Sequence, residues 1–186
     1  MGLGGSGRTQ LMLQYAWTRR EVYGVVLWFD ARNMFALEET FLLAASQLGL
    51  VLPPTKERGS ISANALELYQ SGLENCLSLL KRELRRRQQR WLLLFDEADD
   101  LSMIELLPRI FPSDLDGNVI VSSRRKEAYR LGRHAIEVTG LPTESAQDLL
   151  LYHARVQKPN KEQLAQAKEI VEHLDCIALA IDLAGS

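Results

Sequence analysis

The sequence predicts a three-layer α/β sandwich built on a parallel sheet, followed by the start of a helical subdomain. Three observations carry this. Short apolar runs recur along the first 140 residues, helical stripes separate them, and the pattern turns wholly helical after about Leu141. Apolar runs alternating with helices are how a parallel sheet covered on both faces reads in sequence.

The strand candidates come in order as Val25-Val26-Leu27-Trp28-Phe29, Trp91-Leu92-Leu93-Leu94-Phe95, Val119-Ile120-Val121 and Ala135-Ile136-Glu137-Val138. Asp116-Gly117-Asn118 introduces the third as a turn signal. Leu37, Phe41, Ala45 and Leu48 make a helical stripe after the first run. Leu66, Tyr69, Leu73, Leu77, Leu80 and Leu84 make a longer one before the second. Between these stripes, residues 51–62 read as a loop because of Pro53-Pro54 and Gly59. Past Pro142, Ala146, Leu149, Leu150 and His153 share one helix face, and Asn160-x-x-Gln163 is a capping-box signature. It opens a helix with Leu164, Ala167, Val171 and Leu174 on one side, and another helix begins near Ala178. The expected domains are therefore 1–140, the α/β part, and 141–186, the helical part.

Composition narrows the function. The net charge is -2 and charged residues make up 25%, so no global field favours nucleic acid or an anionic membrane. The basic run Lys81-Arg82-Glu83-Leu84-Arg85-Arg86-Arg87 shares its helix with the leucine stripe and is read as a solvated face. No run of 18 apolar residues is present, and Met1 leads into glycines rather than a signal peptide, so a cytoplasmic location is expected. Cys76 and Cys176 lack CxxC partners and read as small core residues. His134, His153 and His173 have no metal-ligand spacing and read as surface or boundary residues. Trp17, Trp28 and Trp91 read as core or core-edge aromatics.

Two motifs carry chemistry. Gly2-Leu3-Gly4-Gly5-Ser6-Gly7-Arg8-Thr9 has the spacing of the phosphate-binding loop GxxxxGK[ST], with arginine in the lysine position. Glycines let the backbone turn tightly and aim N–H groups at phosphate oxygens, and a following helix presents its positive end to them. Thr9 is then expected to place its hydroxyl on Mg²⁺. Arg8 keeps the charge, but its planar fork is not the compact point charge of lysine, so binding is expected to survive more readily than catalysis. Only Met1 precedes Gly2, so the strand that anchors such a loop is expected to lie outside this sequence.

The second motif is the run Trp91–Phe95 ending in Asp96-Glu97-Ala98-Asp99-Asp100, the Walker B arrangement. Asp96 is expected to hold Mg²⁺ through its water shell, and Glu97 to orient and deprotonate the attacking water. The third apolar run ends in Ser122-Ser123-Arg124. An arginine at the carboxyl end of a parallel strand either contacts the γ-phosphate or is one more surface charge, and the residues alone leave both readings open.

Together the blocks at 2–11 (through Gln10 and Leu11), 28–31, 91–100, 119–124 and 174–185 resemble the NB-ARC domain of STAND-class P-loop NTPases, especially the fungal NLR-like branch. The resemblance implies an ADP-bound resting state, exchange for ATP on activation, and self-association of the full-length protein. It implies a nucleotide site of Gly2, Gly4, Gly5, Ser6, Gly7, Arg8, Thr9 and Gln10, with Arg124 as the γ-phosphate sensor. The block at 174–185 would begin the lid over the adenine. The family usually carries proline where this chain has Ala178, which together with Arg8 bears on turnover. A switch with slow hydrolysis is therefore the first expectation. A scaffold that has lost its nucleotide and an AAA+-like turnover ATPase are the alternatives.

Overall fold

The structure, a computed structural model, describes residues 4–50, 77–111 and 117–186. The described residues form two compact units. One takes those of Met12–Ser123 with Glu127–Arg133, and the other those of Met1–Leu11, Arg124–Lys126 and His134–Ser186.

The larger unit is built on a three-stranded parallel sheet in the order β1-β2-β3. The strands are β1 (Val25–Asp30), β2 (Trp91–Asp96) and β3 (Gly117–Val121). All six residues of the central strand β2 are buried, which is why it reads as an uninterrupted apolar run. Pairing runs from Val25↔Trp91 to Asp30↔Asp96, so two aspartates end adjacent strands side by side.

Side chains alternate across the sheet, and each face has its own cover. On one face Leu27, Phe29, Leu93 and Phe95 pack with Leu37, Phe41 and Ala44 of α2 (Met34–Gln47), and with Leu77, Leu80 and Leu84 of α3 (described over 77–87). Met103 and Leu107 of α4 (Leu101–Ile110) complete that cluster. Phe29 stacks on Phe41 at 4.2 Å and on Phe95 at 4.9 Å between ring centroids. On the other face Leu92 and Leu94 meet Met12 and Ala16 of α1 (Arg8–Thr18), along with Tyr23. The Tyr23 hydroxyl donates to Asn118 Oδ1 at 3.0 Å and lies 3.1 Å from the Tyr15 hydroxyl. Burial and the neighbouring phenol push its pKa up to about 12. A sheet with helices on both faces is the α/β architecture expected from the sequence, with three strands rather than four among the described residues.

The helical unit holds α5 (Thr143–His153), α6 (Lys161–His173) and α7 (Ala178–Gly185) around Ala146, Leu150, Ala167, Val171 and Ile181. The capping box forms as its sequence signature predicts. Asn160 Oδ1 accepts from the Gln163 N–H at 2.8 Å, and Gln163 Oε1 accepts from the Asn160 N–H at 2.9 Å. His153 Nε2 lies 2.9 Å from Asp182 Oδ1, joining α5 to α7.

Three expectations change. The run Ala135–Val138 is not a strand, because it finds no ladder partner among the described residues; Ile136 is 81% exposed. Gly117 and Asn118 do not form a turn but open β3. Gly117 sits across from Trp91, where an added Cβ would come within 2.1 Å of the indole. Trp91 is core as expected, but Trp17 is 67% exposed and lies under the Arg20 guanidinium at 4.7 Å. The loop at 51–62, the stripe residues Leu66, Tyr69 and Leu73, and Gly2, Cys76 and Asp116 lie outside the described residues.

Candidate functional site

In the helical unit the glycine-rich segment turns through Gly5 at φ +79° and Gly7 at φ +93°. Both values lie in the left-handed region where glycine carries no steric cost. The helix α1 starts at Arg8, so Arg8, Thr9 and Gln10 form its first turn, and the Leu11 N–H closes onto the Gly7 carbonyl at 2.9 Å. Ser6 is only 6% exposed, and its hydroxyl has no hydrogen-bond partner among the described residues. A buried hydroxyl left unpaired is costly, and here it sits where a glycine-rich turn enters a helix of eleven residues. Such a turn suits a phosphate.

The loop is also tied to α7. The Leu179 N–H donates to the Gly5 carbonyl at 3.1 Å. A Cβ on Gly5 would lie 2.9 Å from Leu179 Cβ. The block at 174–185 therefore packs directly against the glycine-rich loop within this unit. Ala178 is the first residue of α7, a position where alanine and proline both fit a helix start. Arg124 belongs to the same unit and is exposed.

Asp96 and Glu97 belong to the sheet unit. Asp96 ends β2 and is 8% exposed, and its Oδ1 accepts from the Ser122 hydroxyl in a short hydrogen bond. The same hydroxyl oxygen accepts from the Glu97 N–H at 2.9 Å. Glu97 stands in the left-handed region at φ +58°. The neighbouring bonds continue the join: the Ala98 N–H donates to the Ser122 carbonyl at 2.9 Å, and the Ser123 hydroxyl donates to the Ala98 carbonyl at 2.7 Å. The rest of the acidic run has structural duties. Asp99 Oδ1 lies 3.2 Å from the Ser123 hydroxyl, and Asp100 caps α4 by accepting from the Ser102 N–H at 2.9 Å.

Beside Glu97 lies a pair that the sequence reading missed. Arg32 grips Asp30 with Nη2 2.6 Å from Oδ2 and Nε 3.0 Å from Oδ1. Its Nε also lies 3.6 Å from Glu97 Oε2. Hydrogen bonds from Arg32 hold the Asp30 carboxyl below its usual range against the opposing effect of burial. The role of Ser122 was missed too. Its only signal in the sequence is a hydroxyl at a strand tip, and its pairing with Asp96 depends on the sheet register.

Among the described residues no group of three or more His, Cys, Asp or Glu side chains could hold a metal ion. A cation at Asp96 would need oxygens from elsewhere, as Mg²⁺ on nucleotide phosphates takes them. A surface groove of the helical unit is lined by Tyr152, His153, Arg155, Val156 and Pro159 among others, and by none of the predicted site residues. No helix among the described residues is long and apolar enough to cross a membrane.

The fold and the two motif regions define an α/β protein with a glycine-rich loop leading into a helix and a buried aspartate at a strand tip. No family model matches the chain. Over its whole length it is similar to a nucleotide-binding leucine-rich repeat (NLR)-like protein of the fungus Hyaloscypha variabilis, with 26% identity over 202 residues. The chain spans 19% of that protein's length. The similarity supports an NLR-like relationship.

Proposed function

We propose that this chain is the ADP- and ATP-binding module of an NLR-like signalling protein of the NB-ARC kind, whose nucleotide state controls self-assembly of the full-length protein. The observation that carries the reading is the buried hydroxyl of Ser6, without a partner among the described residues, in a turn with Gly5 and Gly7 at positive φ at the start of α1. A phosphate oxygen supplies the acceptor that this hydroxyl lacks. Arg8 adds positive charge to the phosphates, and Thr9 offers a hydroxyl to Mg²⁺. This reading gives Asp96 the role of a buried carboxylate for a Mg²⁺ water shell and Glu97 that of the group that orients water. Mg²⁺ supplies charge neutralisation on the phosphates. The bond from Leu179 to the Gly5 carbonyl gives α7 a way to feel what the loop holds. Hydrolysis in this reading is slow and resets the switch.

The test is the affinity for Mg²⁺-ADP of the native chain beside Ser6→Ala. Loss of a hydrogen bond to a charged oxygen is worth about 1.5–3 kcal/mol, so Ser6→Ala should weaken binding roughly 10- to 100-fold. Equal affinities would remove Ser6 from the site. Arg8 and Ala178 favour a second reading, a scaffold that no longer takes nucleotide. Absence of ADP and ATP binding in a folded native chain is the result that reading requires.

A further inference from the structure

We propose that Arg32 is a positioning residue that holds the Glu97 carboxylate toward β1 and so restrains hydrolysis. The proposal rests on the reading of Glu97 as the water-orienting group. Three features of the sheet unit carry it.

The first is register. Asp30 pairs with Asp96 at the ends of β1 and β2, and the Ala31 N–H continues the ladder onto the Asp96 carbonyl at 2.8 Å. The residues that follow, Arg32 and Glu97, are thereby delivered to the same strand-tip surface. The second is fixation. Asp30 holds Arg32 by both carboxylate oxygens, and the Arg32 N–H donates to Asp30 Oδ1 at 3.1 Å. A guanidinium clamped in this fork is a fixed charge rather than a wandering one. The third is the backbone of Glu97. It is held at φ +58° with its N–H on Ser122, so the carboxylate swings from a pinned base. Its Oε2 lies 3.6 Å from Arg32 Nε. That distance is an ion pair rather than a hydrogen bond, and both side chains are more than half exposed. Glu97 is therefore leashed weakly and can be released.

A carboxylate turned to a guanidinium offers less of its lone-pair density to a water proton, and must break the pair to act as a base. Arg32 thus acts through Glu97 and touches no reacting atom. Asp30 sets the position of Arg32.

The experiment is single-turnover ATP hydrolysis with parallel ATP-affinity measurements on native chain, Arg32→Ala, Arg32→Lys, Glu97→Gln and the Arg32→Ala/Glu97→Gln double variant. An exposed ion pair of this kind is worth roughly a three- to fivefold effect. Arg32→Ala should raise the hydrolysis rate by that factor with ATP affinity unchanged. Arg32→Lys, which keeps the charge without the fork, should fall between. The double variant should hydrolyse no faster than Glu97→Gln alone, since Arg32 has nothing left to restrain. An unchanged or slower rate in Arg32→Ala, with Glu97→Gln inactive and ATP still bound, overturns the proposal and leaves the nucleotide reading intact. A rise that persists in the double variant overturns it too, because Arg32 would then act by another route. Absence of ATP binding, or full activity in Glu97→Gln, sinks the underlying reading and this proposal with it.

Discussion

The Glu97 N–H donates to the Ser122 hydroxyl at 2.9 Å, and that hydroxyl donates in turn to the Asp96 carboxylate. One side chain just past the end of β3 thus fixes both acidic residues at the tip of β2. Ser122→Ala removes the hydroxyl from a place where both it and Asp96 are buried. Leaving buried polar groups short of a partner costs about 1–3 kcal/mol. Urea unfolding should show that loss for Ser122→Ala and little loss for Ser122→Thr, which keeps the hydroxyl. Equal stability of Ser122→Ala and native chain would show that the bridge is not structural.

Glu97 occupies the left-handed region without being glycine. Strain of this sort is tolerated where a side chain is needed for function. Glu97→Gly should therefore stabilise the fold by about 1 kcal/mol while hydrolysis is lost. A lower midpoint of thermal unfolding in Glu97→Gly would contradict this.

Gly117 lies across the ladder from Trp91, and a methyl group there would come within 2.1 Å of an indole that is 2% exposed. Overpacking of this kind costs typically about 1–3 kcal/mol. Gly117→Ala should unfold at lower urea, whereas Gly49→Ala, where an added Cβ meets none of the described residues within 4 Å, tests its φ of +72°. The tryptophan fluorescence of Gly117→Ala should shift if the ring is displaced.

Much of the fold was open to reading from sequence because its signals are local. The uniform burial of β2 appears as an apolar run, the Asn160–Gln163 box as a spaced pair, and α2 as the stripe Leu37, Phe41, Ala45. What was missed depends on neighbours distant in sequence. Ala135–Val138 has the composition of a strand, but a strand exists only where a ladder partner does. Gly117 has the look of a turn residue until Trp91 is seen across from it. Arg32 and Ser122 carry no motif of their own. They matter because parallel register brings Asp30 level with Asp96, and because Ser122 follows the Phe95–Val121 pair and so comes beside Asp96.

Glu83 accepts from both Arg86 and Arg87 on α3, at 2.7 and 2.8 Å for Oε1. Those bonds draw its pKa from 4.5 down to about 2. A carboxyl depressed in the folded state binds fewer protons there than in the unfolded chain. Its stabilising contribution is therefore full above pH 4.5 and is lost as pH falls toward 2. The midpoint of thermal unfolding should fall less steeply across that window in Glu83→Gln than in the native chain. Parallel curves would show that the pair is not worth a measurable amount.

The central claim is that the loop of Gly5, Ser6 and Gly7 holds the phosphates of a nucleotide. Calorimetric titration of the native chain and of Arg8→Lys with ADP and with ATP, each with Mg²⁺, tests it most directly. The account predicts saturable one-to-one binding by the native chain, with a dissociation constant in the range of about 1 μM and ADP favoured. Absence of binding by both the native chain and Arg8→Lys, with circular dichroism showing each folded, would contradict it.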